Sequence, residues 1–385
     1  LRAGNALRQF HLIHLKKERL MSKTLPLHAD TVGSYLRTAA LKQARADFAE
    51  GKISRDALTQ IEDQEIAKLV QDQLDAGIQV ITDGEFRRSW WHIDFLENLN
   101  GIEGFIPEQA YAFKNTEVRK YNTRCCGKVS WNENHPFIQH YQSLAKIVGE
   151  RGIVKYTIPS PNQLMYPFIW DTGVYKSKQA FAEDVRQAYK DAIRAFYNAG
   201  CRYLQIDDVY WGTLCNNYGK ADFDFEGSKK IALENIQAIL ADKPADMTIT
   251  THVCRGNYKS SYLLSGAYDP VAPELFGQTA YDGYFLEYDT DRAGGFEPLK
   301  YFNDNPHKGR IVLGLITSKF PELEDKDAVK ARIAEAAKIV PLAQLALSPQ
   351  CGFASTEEGN IMTEAQQWAK VKLVEEIAAE VWGED

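Results

Sequence analysis

Tyr203-Leu204-Gln205-Ile206-Asp207, then Phe225–Ala241, then Met247-Thr248-Ile249-Thr250-Thr251-His252 read in succession as strand, helix and strand. The outer two are short apolar or β-branched runs, whereas apolar residues in the middle stretch recur near the 3.6-residue helical period. Such a unit builds a parallel sheet covered by crossover helices. Working outward, runs of the first kind recur at Asp30–Ser34, Ile78–Asp83, Ile153–Ile158, Gly283–Glu287, Arg310–Leu315 and Gln344–Leu347. Helical spacing recurs at Ala182–Ala199, Asp327–Ile339 and Thr363–Val381. Eight such runs alternating with helices predict an α/β protein. A closed (β/α)8 TIM barrel is the expected architecture, and an open doubly wound sheet is its alternative.

About seventy residues separate Glu85 from Ile153, far more than a plain connection needs. Within this 86–152 insertion, Gly101-Ile102-Glu103-Gly104-Phe105 and the run Val118–Trp131 predict a hairpin, and His135–Val148 a helix, together a flap over the barrel mouth. No repeat or linker divides the chain, so residues 23–385 are expected to form one catalytic domain. Residues 1–22 are expected to be an extension outside the fold; the first twenty precede Met21-Ser22-Lys23 and lack the apolar core of a signal peptide, which predicts a cytoplasmic protein.

The 385 residues are 44% hydrophobic and 25% charged, an ordinary globular balance. A net charge of −7 argues against a nucleic-acid partner, which selects a basic face. No window reaches the ~18 consecutive apolar residues of a membrane span. Cys125, Cys126, Cys201 and Cys215 read as small buried hydrophobes rather than a disulfide framework.

In a barrel of this kind, reactive groups stand at the carboxyl ends of the strands, where the βα loops face one cavity. Here those ends carry Asp83-Gly84-Glu85, Gln205-Ile206-Asp207-Asp208, His252-Val253-Cys254, Leu286-Glu287 and Ser348-Pro349-Gln350-Cys351. His252, Cys254, Glu287 and Cys351 offer one imidazole, one carboxylate and two thiolates, a mixed set suited to Zn2+. His252 and Cys254, two residues apart on a strand, share a face. The competing reading is two buried cysteines and a solvated glutamate.

These motifs, with Val32-Gly33-Ser34 and Thr251-His252-Val253-Cys254, resemble those of the cobalamin-independent methionine synthases, in particular their catalytic barrel and its shorter single-barrel relatives. The resemblance spans the chain after Thr24. It implies a zinc ion held by His252, Cys254, Glu287 and Cys351, a substrate amino group met by Glu85 and Asp207, and an amino-acid carboxylate met by Gly33 and Ser34. The implied reaction is transfer of a methyl group from methyltetrahydrofolate, or from a corrinoid on a carrier protein, to the sulfur of homocysteine. A thiol is mostly protonated at neutral pH, and Zn2+ makes it a thiolate.

Two positions depart from the family pattern. The segment after strand 7, Gly314-Leu315-Ile316-Thr317-Ser318-Lys319, has no histidine to protonate the departing donor, so Lys319 becomes the candidate acid. After strand 3 no tryptophan is matched; Tyr166, Phe168 and Trp170 are the nearby aromatics, and Trp90, Trp91 and Phe95 of the insertion are candidates to cover the donor. Two other readings remain: alkyl transfer to another small thiol resembling coenzyme M, and a non-catalytic zinc-binding thiol sensor. Glu85 and Asp207 favour an acceptor that carries an ammonium group.

Overall fold

A computed structural model of the chain describes residues 24–108, 113, 116 and 118–383. The extension expected at 1–22 lies outside the described residues. Strands β1 (Val80–Ile81), β2 (Asn100–Phe105), β3 (Asn122–Ser130), β4 (Ile153–Val154), β5 (Tyr156–Pro159), β6 (Tyr203–Asp208), β7 (Thr248–Val253), β8 (Gly283–Glu287), β9 (Arg310–Ile316) and β10 (Leu345–Pro349) follow in chain order. The helices longer than ten residues are α1 (Ala39–Ala49), α2 (Arg55–Asp75), α3 (Pro136–Val148), α4 (Lys178–Asn198), α5 (Phe225–Ala241), α6 (Lys326–Ala336) and α7 (Glu364–Trp382).

The protein is an α/β fold around a parallel sheet. Its unbroken ladder runs β10-β9-β8-β7-β6-β5, with every pair parallel. Every residue of β6 is buried, as in a sheet covered on both faces. Helix α4 explains one cover: Phe181, Val185, Ala188, Tyr189, Ala192 and Phe196 form its buried stripe, and Ser177 caps its start by accepting from the Ala180 amide. Helix α6 ends at Ala336, three residues before the expected Ile339, and Pro341 follows, which disfavours helical backbone in the residue ahead of it.

The continuous eight-stranded ladder expected from the sequence is not formed. β1 and β4 make a separate two-stranded parallel pair, and the 29–34 segment makes single bridges, Ala29 to Leu347 and Ser34 to Gly84. The cause is side-chain competition for the backbone. Gln205 Nε2 donates to Val32 O at 2.8 Å and Thr82 Oγ1 to Gly33 O at 2.6 Å. Gln73 from α2 takes both the amide and the carbonyl of Thr82, at 3.1 and 2.9 Å, just beyond β1. Each backbone group is satisfied, but not by a ladder partner.

Lys155 interrupts the expected Ile153–Ile158 strand. Its fully buried ammonium donates to Asp30 Oδ1 at 2.8 Å, to Gln205 Oε1 at 3.2 Å and to Thr31 O, and Tyr203 OH donates to Asp30 Oδ2 at 2.8 Å. Leaving either charge alone there would cost about 3–5 kcal/mol. The network ties the 29–34 segment to β6 from beneath Asp207.

In the insertion, β2 and β3 pair antiparallel, and α3 follows His135, whose Nδ1 accepts from the Phe137 amide at 3.2 Å while Nε2 faces Phe95 O at 3.0 Å. Burial pulls the His135 pKa down to about 4. The unfolded chain binds that proton near pH 6.5, so the stability contributed by neutral His135 is complete above pH 6.5 and is lost as pH falls towards 4. Urea unfolding is expected to lose roughly 2–3 kcal/mol to this group between those limits. His135→Asn, which keeps a capping acceptor, should flatten the dependence; an unchanged slope in that variant would contradict the assignment.

Candidate active site

Strand β7 delivers His252 and Cys254 to one face, and register with β8 places His252 opposite Phe285. The ring faces Phe285 O through Nδ1 at 3.2 Å, while its buried Nε2 has no hydrogen-bond partner. An imidazole that donates from one nitrogen presents the lone pair of the other, the arrangement found in metal-binding histidines. Glu287 ends β8, and its Oε1 accepts from the Arg255 amide at 2.7 Å and its Oε2 from Arg292 Nη2 at 2.9 Å. Beyond β10, Cys351 brings its Sγ to 3.6 Å from that of Cys254.

Ligand atoms of His252, Cys254, Glu287 and Cys351 all lie within 4.8 Å of one another, and all four residues are buried. The cysteines are not joined by a disulfide. One borderline nitrogen, two sulfurs and one carboxylate oxygen, with an orphaned buried imidazole nitrogen among them, fit a Zn2+ ion. The electrostatics agree. The hydrogen bond from Cys254, helped by His252, holds the Cys351 thiol well below its usual range, while the same bond and burial raise Cys254. For Glu287, burial is outweighed by Lys319, Arg255 and Arg292, and its pKa is lowered.

A cavity of about 380 Å³ opens above these groups, lined among others by Ser34, Glu85, Asp207, His252, Cys254 and Cys351. Glu85 sits at φ 60°, a left-handed conformation costly for a residue with a side chain and retained where the surroundings force it. Its Oε1 is within 3.3 Å of Arg88 Nη1 and of Thr157 Oγ1, and its buried Oε2 has no partner. Burial raises the Glu85 pKa against the pull of Arg88 and Arg37. Asp207 Oδ1 accepts from Gln205 Nε2 at 2.7 Å. Burial pushes its pKa up to about 7, with Glu85 adding to the rise and His252 opposing it.

Ser34 Oγ accepts from the Ala354 amide at 3.3 Å. A Cβ on Gly352 would fall 1.9 Å from that oxygen, so only glycine lets the Cys351 loop close onto Ser34. Gly33, at φ 128°, packs against Thr82 and Thr157 beside the cavity rather than in its lining.

Lys319 is not brought into the cavity. Its buried Nζ donates to Gly256 O at 3.4 Å and to Asn257 Oδ1 at 3.2 Å, behind the turn that follows Cys254, and it lines a separate hollow with Arg292 and Thr317. Of the aromatics considered from sequence, Trp90, Trp91, Tyr166 and Phe168 line the cavity, and Phe95 is core, packed on Phe137 and Tyr189. Sequence reasoning missed Arg88, Gln205, Arg255, Arg292 and Asn257. Arg88, three residues after Glu85, and Gln205, two residues before Asp207 on the same strand, had a spacing signal; Arg255, Arg292 and Asn257 act across loops and left none.

A model of the cobalamin-independent synthase catalytic domain matches residues 27–374. The chain belongs to this family. It is 48% identical over 362 residues to "Uncharacterized protein YxjH" of Bacillus subtilis, covering 93% of this chain and 95% of that one. A solved Listeria monocytogenes protein described as a "Putative Vitamin-B12 Independent Methionine Synthase" superposes with a TM-score of 0.77 at 44% identity, covering 94% of this chain and all of that one. A B12-independent methionine synthase from Shewanella shares the fold at a TM-score of 0.68 and 18% identity, covering 92% of this chain and 97% of that one. The chain thus carries a methyltransferase domain of methionine synthase type, on an α/β fold with a parallel sheet. Among the described residues no helix is long and apolar enough to cross a membrane.

Proposed function

We propose that this protein methylates the sulfur of homocysteine to give methionine, using Zn2+ held by His252, Cys254, Glu287 and Cys351. The observation that carries the reading is the convergence of these four donors at a cavity that also presents the buried carboxylates Glu85 and Asp207. Zinc in that position would bind the substrate sulfur and lower its pKa, so that it attacks a methyl carbon as the thiolate.

The protein's own groups supply orientation. Glu85 and Asp207 pair with the α-ammonium, held in place by Arg88 and Gln205 respectively. Ser34 receives the α-carboxylate, and Gly33, outside the lining, shapes the backbone behind it. Arg292 and the Arg255 amide occupy both oxygens of Glu287 and fix its rotamer. Asn257 Nδ2 donates to Gly352 O at 2.6 Å, joining the two cysteine loops, and Lys319 braces Asn257 from behind. Lys319 is therefore read as a positioning residue rather than the acid expected from sequence.

The same reading takes residues 23–385 as one cytoplasmic catalytic unit that closes as a (β/α)8 barrel. The bridges flanking the 29–34 segment support the closure. Trp90, Trp91, His92 and Phe113, all from the 86–152 insertion, line the cavity, which supports its role as a flap.

Methyl iodide needs no donor site and isolates the acceptor half of the reaction. The zinc-loaded protein is expected to accelerate its reaction with homocysteine and to prefer homocysteine over 2-mercaptoethanesulfonate by at least about tenfold, because a sulfonate would face two buried carboxylates. Equal rates for the two thiols would favour the coenzyme M-like reading. No acceleration of either would favour a sensor.

A further inference from the structure

We infer, on the reading that this site methylates homocysteine, that the methyl donor is a small onium cation, a sulfonium or quaternary ammonium, received by the aromatic wall of the cavity. Trp90, Trp91, Phe113, Tyr166, Phe168 and Tyr258 line it. Tyr166 and Phe168 stack with centroids 5.5 Å apart at 14°, and Trp90 and Tyr258 at 6.3 Å and 15°. Aromatic faces attract weakly hydrated cations, and methylated onium groups are the ligands that such walls select. Two rings of the wall already attract cations: the Arg119 guanidinium, paired with Glu357 and Glu358, lies 5.1 Å from the Trp90 ring centre, and the Lys259 ammonium lies 5.6 Å from that of Tyr258.

Charge points the same way. Among the described residues lining the cavity, Glu85 and Asp207 are the acids, and there is no lysine or arginine. His92 is neutral at physiological pH, since burial pulls its pKa down to about 3. Lys42 and Lys259 line a different hollow, shared with Glu357 and Glu358. With both acids paired to the homocysteine ammonium, a polyanionic donor would meet aromatic rings and no basic side chain of the lining, whereas a cation meets complementary ring faces. At about 380 Å³ the cavity is near the small end of the ~300–1,000 Å³ range of ligand sites.

The proton balance agrees. A methylated tertiary amine must take up a proton as it leaves, and Lys319, the sequence candidate for that task, is engaged with Gly256 O and Asn257 Oδ1 outside the cavity. An onium donor needs none. The thiolate electron pair forms the new S–CH3 bond as the bond from methyl to the positive sulfur or nitrogen breaks. That electron pair returns to the donor atom, which leaves as a neutral sulfide or amine.

The test incubates the zinc-loaded protein and homocysteine with methyl-labelled S-methylmethionine, glycine betaine, methyltetrahydrofolate or methylcobalamin, each alone, and follows labelled methionine. The expected result is turnover with an onium donor in the absence of folate and corrinoid. Tyr166→Leu and Phe168→Leu should each raise the KM of that donor by about 3- to 30-fold, as loss of a cation–π contact predicts, with the KM of homocysteine unchanged. Turnover only with methyltetrahydrofolate or methylcobalamin would overturn the inference. So would methylation by methyl iodide with none by any onium, and that result would leave the homocysteine assignment standing. No methylation by any donor, methyl iodide included, would overturn both.

Discussion

Replacing Cys351 by serine is expected to reduce bound zinc from about one equivalent per chain to a small fraction of that after dialysis against a mild chelator, and to abolish homocysteine methylation. Cys351 carries the lowered pKa of the cysteine pair, held down by the hydrogen bond with Cys254 and by His252. Serine keeps the volume, but its hydroxyl remains protonated and is a poor ligand for a borderline-soft ion. Activity loss of about a thousandfold or more is the expected scale, beyond the 10–100-fold seen when only a supporting contact is removed. Cys215→Ser is the control: this cysteine is buried away from the cluster, and burial raises its pKa to about 11. Full zinc occupancy in the Cys351→Ser protein would remove Cys351 from the ligand set, whatever happened to activity.

Asp207→Asn and Glu85→Gln should act on the acceptor rather than the metal. Each removes one negative charge that faces the substrate ammonium in a buried setting, where loss of a paired charge costs about 2–5 kcal/mol, or roughly 30- to 4,000-fold in kcat/KM. Zinc content should stay at the wild-type level. The decisive comparison uses 4-mercaptobutyrate, which lacks the ammonium. Wild type should discriminate strongly in favour of homocysteine, and Asp207→Asn should erase most of that preference. If the variant lost activity equally towards both thiols, Asp207 would be acting on the chemistry or the fold and not on the ammonium.

What could be read from the sequence follows from how local its physics is. The strands β6, β7, β8 and β9 and helix α5 were legible because their burial is periodic and their neighbours in the sheet are also neighbours in sequence order. The four donor residues were legible for a related reason: each stands at the end of a strand-like run, and a parallel sheet brings such ends to one side. The 29–34 segment was not legible. Its composition suits a strand, yet Gln205, Thr82 and Lys155 occupy its backbone groups, and those residues are 49 to 173 positions away.

Long-range partners also decided the roles of the charged residues. Nothing near Lys319 in sequence shows that Asn257 and Gly256 hold its ammonium away from the cavity. Nothing before Glu287 shows that Arg292 and the Arg255 amide will occupy its two oxygens. The left-handed backbone of Glu85 was equally invisible, since an Asp-Gly-Glu triplet signals a turn at its glycine and not strain at the acid. These are the features that make the donor cluster rigid, and they appear only in three dimensions.

The most direct test of the account is the X-ray absorption spectrum of zinc in the purified protein, with and without homocysteine. Ligation by His252, Cys254, Glu287 and Cys351 predicts two sulfur and two lighter neighbours at the distances typical of zinc, ~2.3 Å for sulfur and ~2.0–2.2 Å for nitrogen or oxygen. A further sulfur should appear when homocysteine is added. A spectrum without sulfur neighbours, or one that homocysteine leaves unchanged, would contradict the central claim.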